Sequence, residues 1–129
     1  MWWRVPEGER FNDIRGGEAK RRQKDLVLAG KSRGLLAFAG GEPVGWCAYG
    51  RRPEFEALLR SRTLACGDAE KVWSLPCFFI KAGWRGRGVA RALLRAALAS
   101  LKGQGARIAE AYPVRPPSSN AGAFTGTVP

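Results

Sequence analysis

The 129 residues carry 22 Lys plus Arg against 11 Asp plus Glu, a formal charge of +11, with 45% hydrophobic and 10% aromatic side chains. That length supports one domain with a core and excludes two independent ones, and 17 Gly with 8 Pro in no repeating pattern exclude a fibrous chain. The absence of His removes His-based triads, His-ligated metal sites and imidazole acid–base chemistry.

The charge is unevenly placed. Residues 1–70 hold 13 basic and 10 acidic groups, whereas residues 71–129 hold 9 basic groups and a single acid, Glu110. An anionic partner is expected on the second half. The three cysteines, Cys47, Cys66 and Cys77, are odd in number and lack C-x-x-C spacing, which fits buried thiols in a reducing, cytoplasmic setting. No metal site is expected. No stretch reaches the ~20 apolar residues of a membrane span, and Met1 is not followed by an apolar leader, so no membrane partner is expected.

In chain order, residues 1–5 read as the end of a strand stopped by Pro6, and 7–17 as a polar, glycine-punctuated connection. Glu18 to Ala29 reads as a helix with Gly30 at its C-terminal cap. Leu35 to Phe38 and Val44 to Tyr49 flank Ala39-Gly40-Gly41-Glu42-Pro43, the pattern of an antiparallel hairpin with a longer loop. Pro53 to Arg62 suits a short helix and Ala65 to Ala69 a loop. Val72 to Ile80, dense in branched and aromatic residues, predicts a central strand. Pro76 removes one ladder donor from it and so predicts a bulge or a splayed partner nearby.

After the loop Lys81 to Arg85, the segment Gly86 to Leu101 reads as an amphipathic helix. Val89, Ala90, Leu93, Leu94, Ala97, Leu98 and Leu101 share one face, and Arg87, Arg91 and Arg95 form a stripe on another. Gly103 and Gly105 end it, and Arg107 to Tyr112 is the last predicted strand. Residues 1–115 read as a single domain and 116–129 as a Pro/Ser/Gly-rich tail. This order predicts an α/β fold in which the final strand–helix–strand unit is a parallel crossover.

Chemistry concentrates in Cys77-Phe78-Phe79-Ile80-Lys81-Ala82-Gly83-Trp84-Arg85-Gly86-Arg87-Gly88-Val89-Ala90, where a strand runs through a basic, glycine-bearing loop into a helix. The first turn of a helix leaves backbone N–H groups unpaired at the positive end of its dipole, which makes an anion cradle. The bland reading is an ordinary helix start in a basic protein. Two other phosphate designs fit less well. A dinucleotide-binding turn would need glycine where Arg91 stands, and Gly30-Lys31-Ser32 lacks the upstream glycine and strand of a P-loop.

Arg85-Gly86-Arg87-Gly88-Val89-Ala90 resembles the acyl-coenzyme A loop of the GNAT family of N-acetyltransferases, Arg or Gln, any two, Gly, any one, then Gly or Ala. Gly41-Glu42-Pro43-Val44-Gly45-Trp46 looks like that family's second-to-third strand hairpin. Val72 to Ile80 is similar to its fourth strand and Gly105 to Val114 to its fifth. The resemblance covers roughly residues 35–115. It implies a mixed, mostly antiparallel sheet with a central splayed strand–helix–strand unit, and transfer of acetyl from acetyl-CoA to an amine acceptor, a small molecule or a peptide.

By the same resemblance, backbone around Phe78, Phe79 and Ile80 would line the pantetheine arm and hold the thioester oxygen. Amides of Arg85, Gly86, Arg87, Gly88, Val89 and Ala90 would hold the pyrophosphate, with Arg87, Arg91 and Arg95 near the 3′-phosphate. One of Phe78 and Phe79 would be core and the other would line the acyl channel, since neighbours on a strand face opposite sides. Glu110 would be the base, against the alternative of a salt-bridged structural glutamate. Tyr112 would be the acid, against a half-buried structural tyrosine. The family continues past its fifth strand with a further helix and two strands, so the chain reads as shortened at both ends, its C-terminal elements missing or supplied by a second subunit of a homodimer. Two other functions compete. The charge and the tryptophans Trp2, Trp3, Trp46, Trp73 and Trp84 suit a nucleic-acid-binding module, and the shortened pattern suits a coenzyme-A-binding relic without catalysis.

Overall fold

The computed structural model describes residues 1–113. Four strands form one sheet in the order β1 (Arg33–Ala39), β2 (Glu42–Arg51), β3 (Val72–Ile80) and β4 (Ile108–Glu110). The first two pairings are antiparallel and β3 with β4 is parallel, as the α/β reading requires. Helices α1 (Phe11–Ile14), α2 (Gly17–Leu28) and α3 (Glu56–Arg60) precede β3, and α4 (Val89–Gly103) is the crossover between β3 and β4. The tail at 116–129, with the question of further C-terminal elements, lies outside the described residues.

β3 takes the bounds that its composition predicts, Val72–Ile80. The bulge expected at Pro76 is present. Ala48 pairs with Cys77 and Gly50 with Ser74, so Tyr49 stands opposite both Leu75 and Pro76. The extra residue shifts the side-chain alternation. Trp73 and Leu75 before it, and Phe78 and Ile80 after it, all turn toward α4.

The core between sheet and helix is built from Cys47, Tyr49, Trp73 and Leu75 against Leu93, Ala97 and Leu101. Gly45 lets the helix come close, since a Cβ there would lie 2.9 Å from Val89 Cγ1. The buried stripe is narrower than the sequence suggests. Only the i, i+4 row sinks into the sheet, while Ala90, Leu94 and Leu98 are exposed. Val5, Phe55 and Leu58 are buried as well; Phe55 Cε2 would lie 3.3 Å from a Cβ on Gly50, and the Arg4 guanidinium lies 4.3 Å from its ring centroid.

Several boundaries differ for physical reasons. Residues 1–5 are not a strand. Trp2–Arg4 is a 3-10 turn, drawn inward by Arg4, whose Nη1 donates to the carbonyls of Lys31 (3.1 Å) and Glu54 (3.0 Å). The hairpin loop is shorter than expected, because Gly40 (φ +56°) and Gly41 (φ +82°) form a two-residue turn and leave Pro43 inside β2 beside an irregularity. α1 falls in a stretch read as irregular, and the helix expected from Pro53 begins with a separate 3-10 turn, Arg52–Glu54. The helix expected from Gly86 starts at Val89, since Gly86 (φ +72°) and Gly88 (φ +82°) are left-handed. The last strand shortens to Ile108–Glu110.

Candidate functional site

The site has two ends, joined by the half of β3 that pairs with β2 and has no rung to β4. β4 pairs with β3 only along Val72 to Ser74, the last rung being Ser74 with Glu110. β3 continues to Ile80, and among the described residues it has no further rung to β4. Six residues separate Ser74 from Ile80, about 20 Å at the rise of a strand.

At the upper end, a 3-10 turn over Ala82–Trp84 leads into Arg85 to Gly88 and then α4. No side chain caps this helix, and its first regular bond is donated by Ala92 N to the Gly88 carbonyl (3.0 Å). The preceding amides therefore stand at the positive end of the helix as donors. The positions that a Cβ would take at Gly86 and Gly88 meet nothing within 4 Å. Arg85 Nε donates to the Ile80 carbonyl (3.2 Å), which ties the loop to the end of β3, and the Arg87 guanidinium lies 5.2 Å from the Trp84 ring centroid. Among the described residues no carboxylate pairs with Arg85, Arg87 or Arg91, whereas Lys81 is engaged by Glu42 at 3.0 Å. Open backbone, donor amides and uncompensated cations fit a phosphate-bearing ligand.

At the lower end lies a buried polar cluster. Ser74 is wholly buried and Arg52 is 2% exposed. Arg52 Nη1 donates to Glu110 Oε1 (2.7 Å), Glu110 Oε2 (2.8 Å) and the Tyr112 hydroxyl (2.9 Å), and its Nη2 donates to the carbonyls of Leu58 and Leu64. Ser74 Oγ donates to Glu110 Oε1 at 2.5 Å. The Trp3 ring stacks on Tyr112 with centroids 6.0 Å apart. Burial, then the hydrogen bond with Glu110, pushes the Tyr112 hydroxyl well above the ordinary tyrosine range. Burial opposes the charge on Arg52, but the hydrogen bond it donates to Glu110 and the neighbouring charges outweigh it and hold the guanidinium above its ordinary value.

Glu110 and Tyr112 are thus brought together, and the loop residues Arg85 to Ala90 are brought together, toward opposite ends of β3. Between them, Phe78 packs against the core beneath α4, whereas Phe79 is 47% exposed on the other face. Cys47 and Cys77 are poor nucleophiles, because burial pushes the Cys47 thiol up to about 12 and raises that of Cys77. A cleft of about 290 Å³ lined by Trp2, Phe11 and Arg60 contains none of these groups.

Arg52 is the residue that sequence reasoning missed. Nothing distinguishes it from exposed Arg51 beside it in the chain, yet one is buried and the other is not. The usable signal was Ser74, a lone hydroxyl in an apolar central strand, which has to find a polar partner.

The acetyltransferase (GNAT) family model matches residues 2–124. Among solved structures, the aminoglycoside N-acetyltransferase AAC(6')-Iy in complex with CoA is 19% identical with a TM-score of 0.55, the match covering 84% of this chain and 73% of that one. The same enzyme with a bisubstrate analog is 20% identical, with a TM-score of 0.58 over 82% and 66% of the two chains. A ribosomal-protein-alanine N-acetyltransferase from Brucella melitensis biovar Abortus 2308 is 15% identical, with a TM-score of 0.56 over 87% and 70%. No curated protein matches the sequence at a significant level. These structural likenesses show a shared fold. The match over residues 2–124, together with that fold, makes this chain a member of the acetyltransferase (GNAT) family.

Proposed function

We propose that the protein transfers an acetyl group from acetyl-CoA to an amine acceptor by direct attack. The observation that carries this reading is the end of the β3–β4 pairing at Ser74 and Glu110, with helix-start amides and unpaired arginines at the far end of β3. A coenzyme with a phosphate head and a reactive group at the end of a long arm matches such an arrangement.

Acetyl-CoA supplies the activated thioester. The amides of Arg85 to Ala90 hold its pyrophosphate, helped by the charges of Arg85 and Arg87. The backbone of Phe78 to Ile80 lines the arm, and an N–H of that segment stabilises the oxygen on which charge develops. Glu110 takes the proton from the attacking amine at Oε2, directly or through a water. Tyr112, which burial keeps protonated, donates its hydroxyl proton toward the departing sulfur.

A second reading draws on Arg91 and Arg95, which are exposed and meet no carboxylate among the described residues. They suit nucleic-acid phosphates as well as the coenzyme's 3′-phosphate. Calorimetry with acetyl-CoA at two salt concentrations, on the native protein and on Gly88→Glu, separates the two. Micromolar binding that is abolished in the variant is expected, with turnover against a panel of amines identifying the acceptor class. Absence of acetyl-CoA binding by the native protein, alongside salt-sensitive binding of RNA or DNA, would overturn the proposal in favour of the second reading.

A further inference from the structure

We infer that Arg52 is the positioning residue of the acid–base pair, fixing the Glu110 carboxylate and the Tyr112 hydroxyl in one arrangement where the pairing of β3 with β4 ends. The inference rests on the roles given above to Glu110 and Tyr112.

Arg52 is 2% exposed and comes from the 3-10 turn that follows β2, far in sequence from both residues it serves. A buried cation is costly unless its donors are satisfied, and here the two ends of the guanidinium are satisfied by different parts of the fold. Nη2 is anchored on the carbonyls of Leu58 (3.4 Å) and Leu64, within α3 and in the loop beyond it. Nη1 faces the other way, onto Glu110 and Tyr112. Because the guanidinium is a rigid plane, anchoring one nitrogen fixes the direction of the other.

The arrangement also distinguishes the two carboxylate oxygens. Oε1 accepts from both Ser74 and Arg52, whereas Oε2 accepts from Arg52 and not from Ser74, and the Tyr112 hydroxyl bonds the same carboxylate. The Glu110 side chain is 21% exposed, so the carboxylate borders solvent while the arginine behind it does not. A pair serving stability alone would need Arg52 to satisfy Glu110. The bond from the same nitrogen to the Tyr112 hydroxyl serves the second proton-handling group, and it sets the spacing between the two.

A lysine at this position keeps the charge and loses the fork. The test is a mutant cycle of Arg52→Lys with the pair Glu110→Gln and Tyr112→Phe, read in kcat, in KM for acetyl-CoA and in calorimetric affinity for acetyl-CoA. Arg52→Lys is expected to lower kcat by about tenfold to a hundredfold, the usual range for a displaced reacting group, with acetyl-CoA affinity unchanged. In the background carrying both Glu110→Gln and Tyr112→Phe the same substitution is expected to change kcat less than about twofold, since a positioning residue then has neither group left to position. Equal losses in both backgrounds, or no loss in either, would overturn the inference while leaving Glu110 in its role. Full turnover by Glu110→Gln would remove the role of Glu110 itself, and the inference with it. Should near-UV circular dichroism show that Arg52→Lys does not fold, Arg52→Gln is judged by the same comparison. If neither substitution folds even with acetyl-CoA present, Arg52 is a folding residue and the inference fails.

Discussion

Ser74 Oγ donates a 2.5 Å hydrogen bond to Glu110 Oε1 across the last paired rung of β3 and β4. Backbone pairing and side-chain pairing of β3 with β4 therefore end at the same place, and beyond it β3 continues toward the loop at Arg85 paired with β2. Ser74 is wholly buried among Val72, Trp73 and Leu75, so its hydroxyl has no access to water and depends on Glu110. Ser74→Ala is expected to cost about 1.5–3 kcal/mol, the range for a hydrogen bond to a charged group. Urea unfolding should show a lower midpoint with an unchanged slope. An unaltered midpoint would mean that Arg52 alone holds the carboxylate at the fork.

What was legible in the chain, and what was not, follows from how local each signal is. Val72 to Ile80 announces a strand by composition, and Pro76 announces its bulge because the missing donor is a property of one residue. The acyl-coenzyme A loop is equally local, since its glycines and arginines are adjacent in sequence. The start of α4 was misjudged because Gly86 and Gly88 look like permissive helix residues, whereas their left-handed torsions delay the helix to Val89. Arg52 was invisible for the opposite reason. Its burial is decided by partners 6, 12, 58 and 60 residues away, at Leu58, Leu64, Glu110 and Tyr112, and no window of sequence brings these together.

Close approach of side chain to backbone gives a second test, on the sheet face turned away from α4. A Cβ on Gly34 would lie 2.2 Å from Trp46 Cη2 and 2.5 Å from the Cys47 carbonyl oxygen. The second neighbour is backbone and cannot turn aside, so the indole ring and β1 would both have to move. Gly34→Ala is expected to destabilise the fold by about 1–3 kcal/mol, as overpacking does, despite the general preference of a strand for alanine over glycine. Tryptophan emission should shift as Trp46 leaves its position. A variant as stable as the native protein would show that β1 can slide on β2.

Alkaline stability gives a test of the core beneath α4. Cys47 has no exposed surface, and burial followed by the nearby Cys77 pushes its thiol up to about 12, against about 8.5 in an unfolded chain. The folded state thus keeps a proton that the unfolded state releases. The resulting stabilisation is complete below the unfolded value and disappears as pH rises from about 9 toward about 12. Within that window Cys47 contributes a loss of about 1.4 kcal/mol per pH unit, added to that from other groups. Cys47→Ala should lie about 1 kcal/mol lower at neutral pH, because the smaller side chain leaves a gap, and fall less steeply above pH ~9. Thiol labelling of the native protein supplies the independent check. Exposed Cys66 should react first and Cys47 only at the rate of unfolding, because a protonated, enclosed thiol offers neither nucleophile nor path. Labelling of Cys47 as fast as Cys66 would show that the sheet–helix core opens without global unfolding, and the alkaline slope would then be shared by the native and alanine proteins.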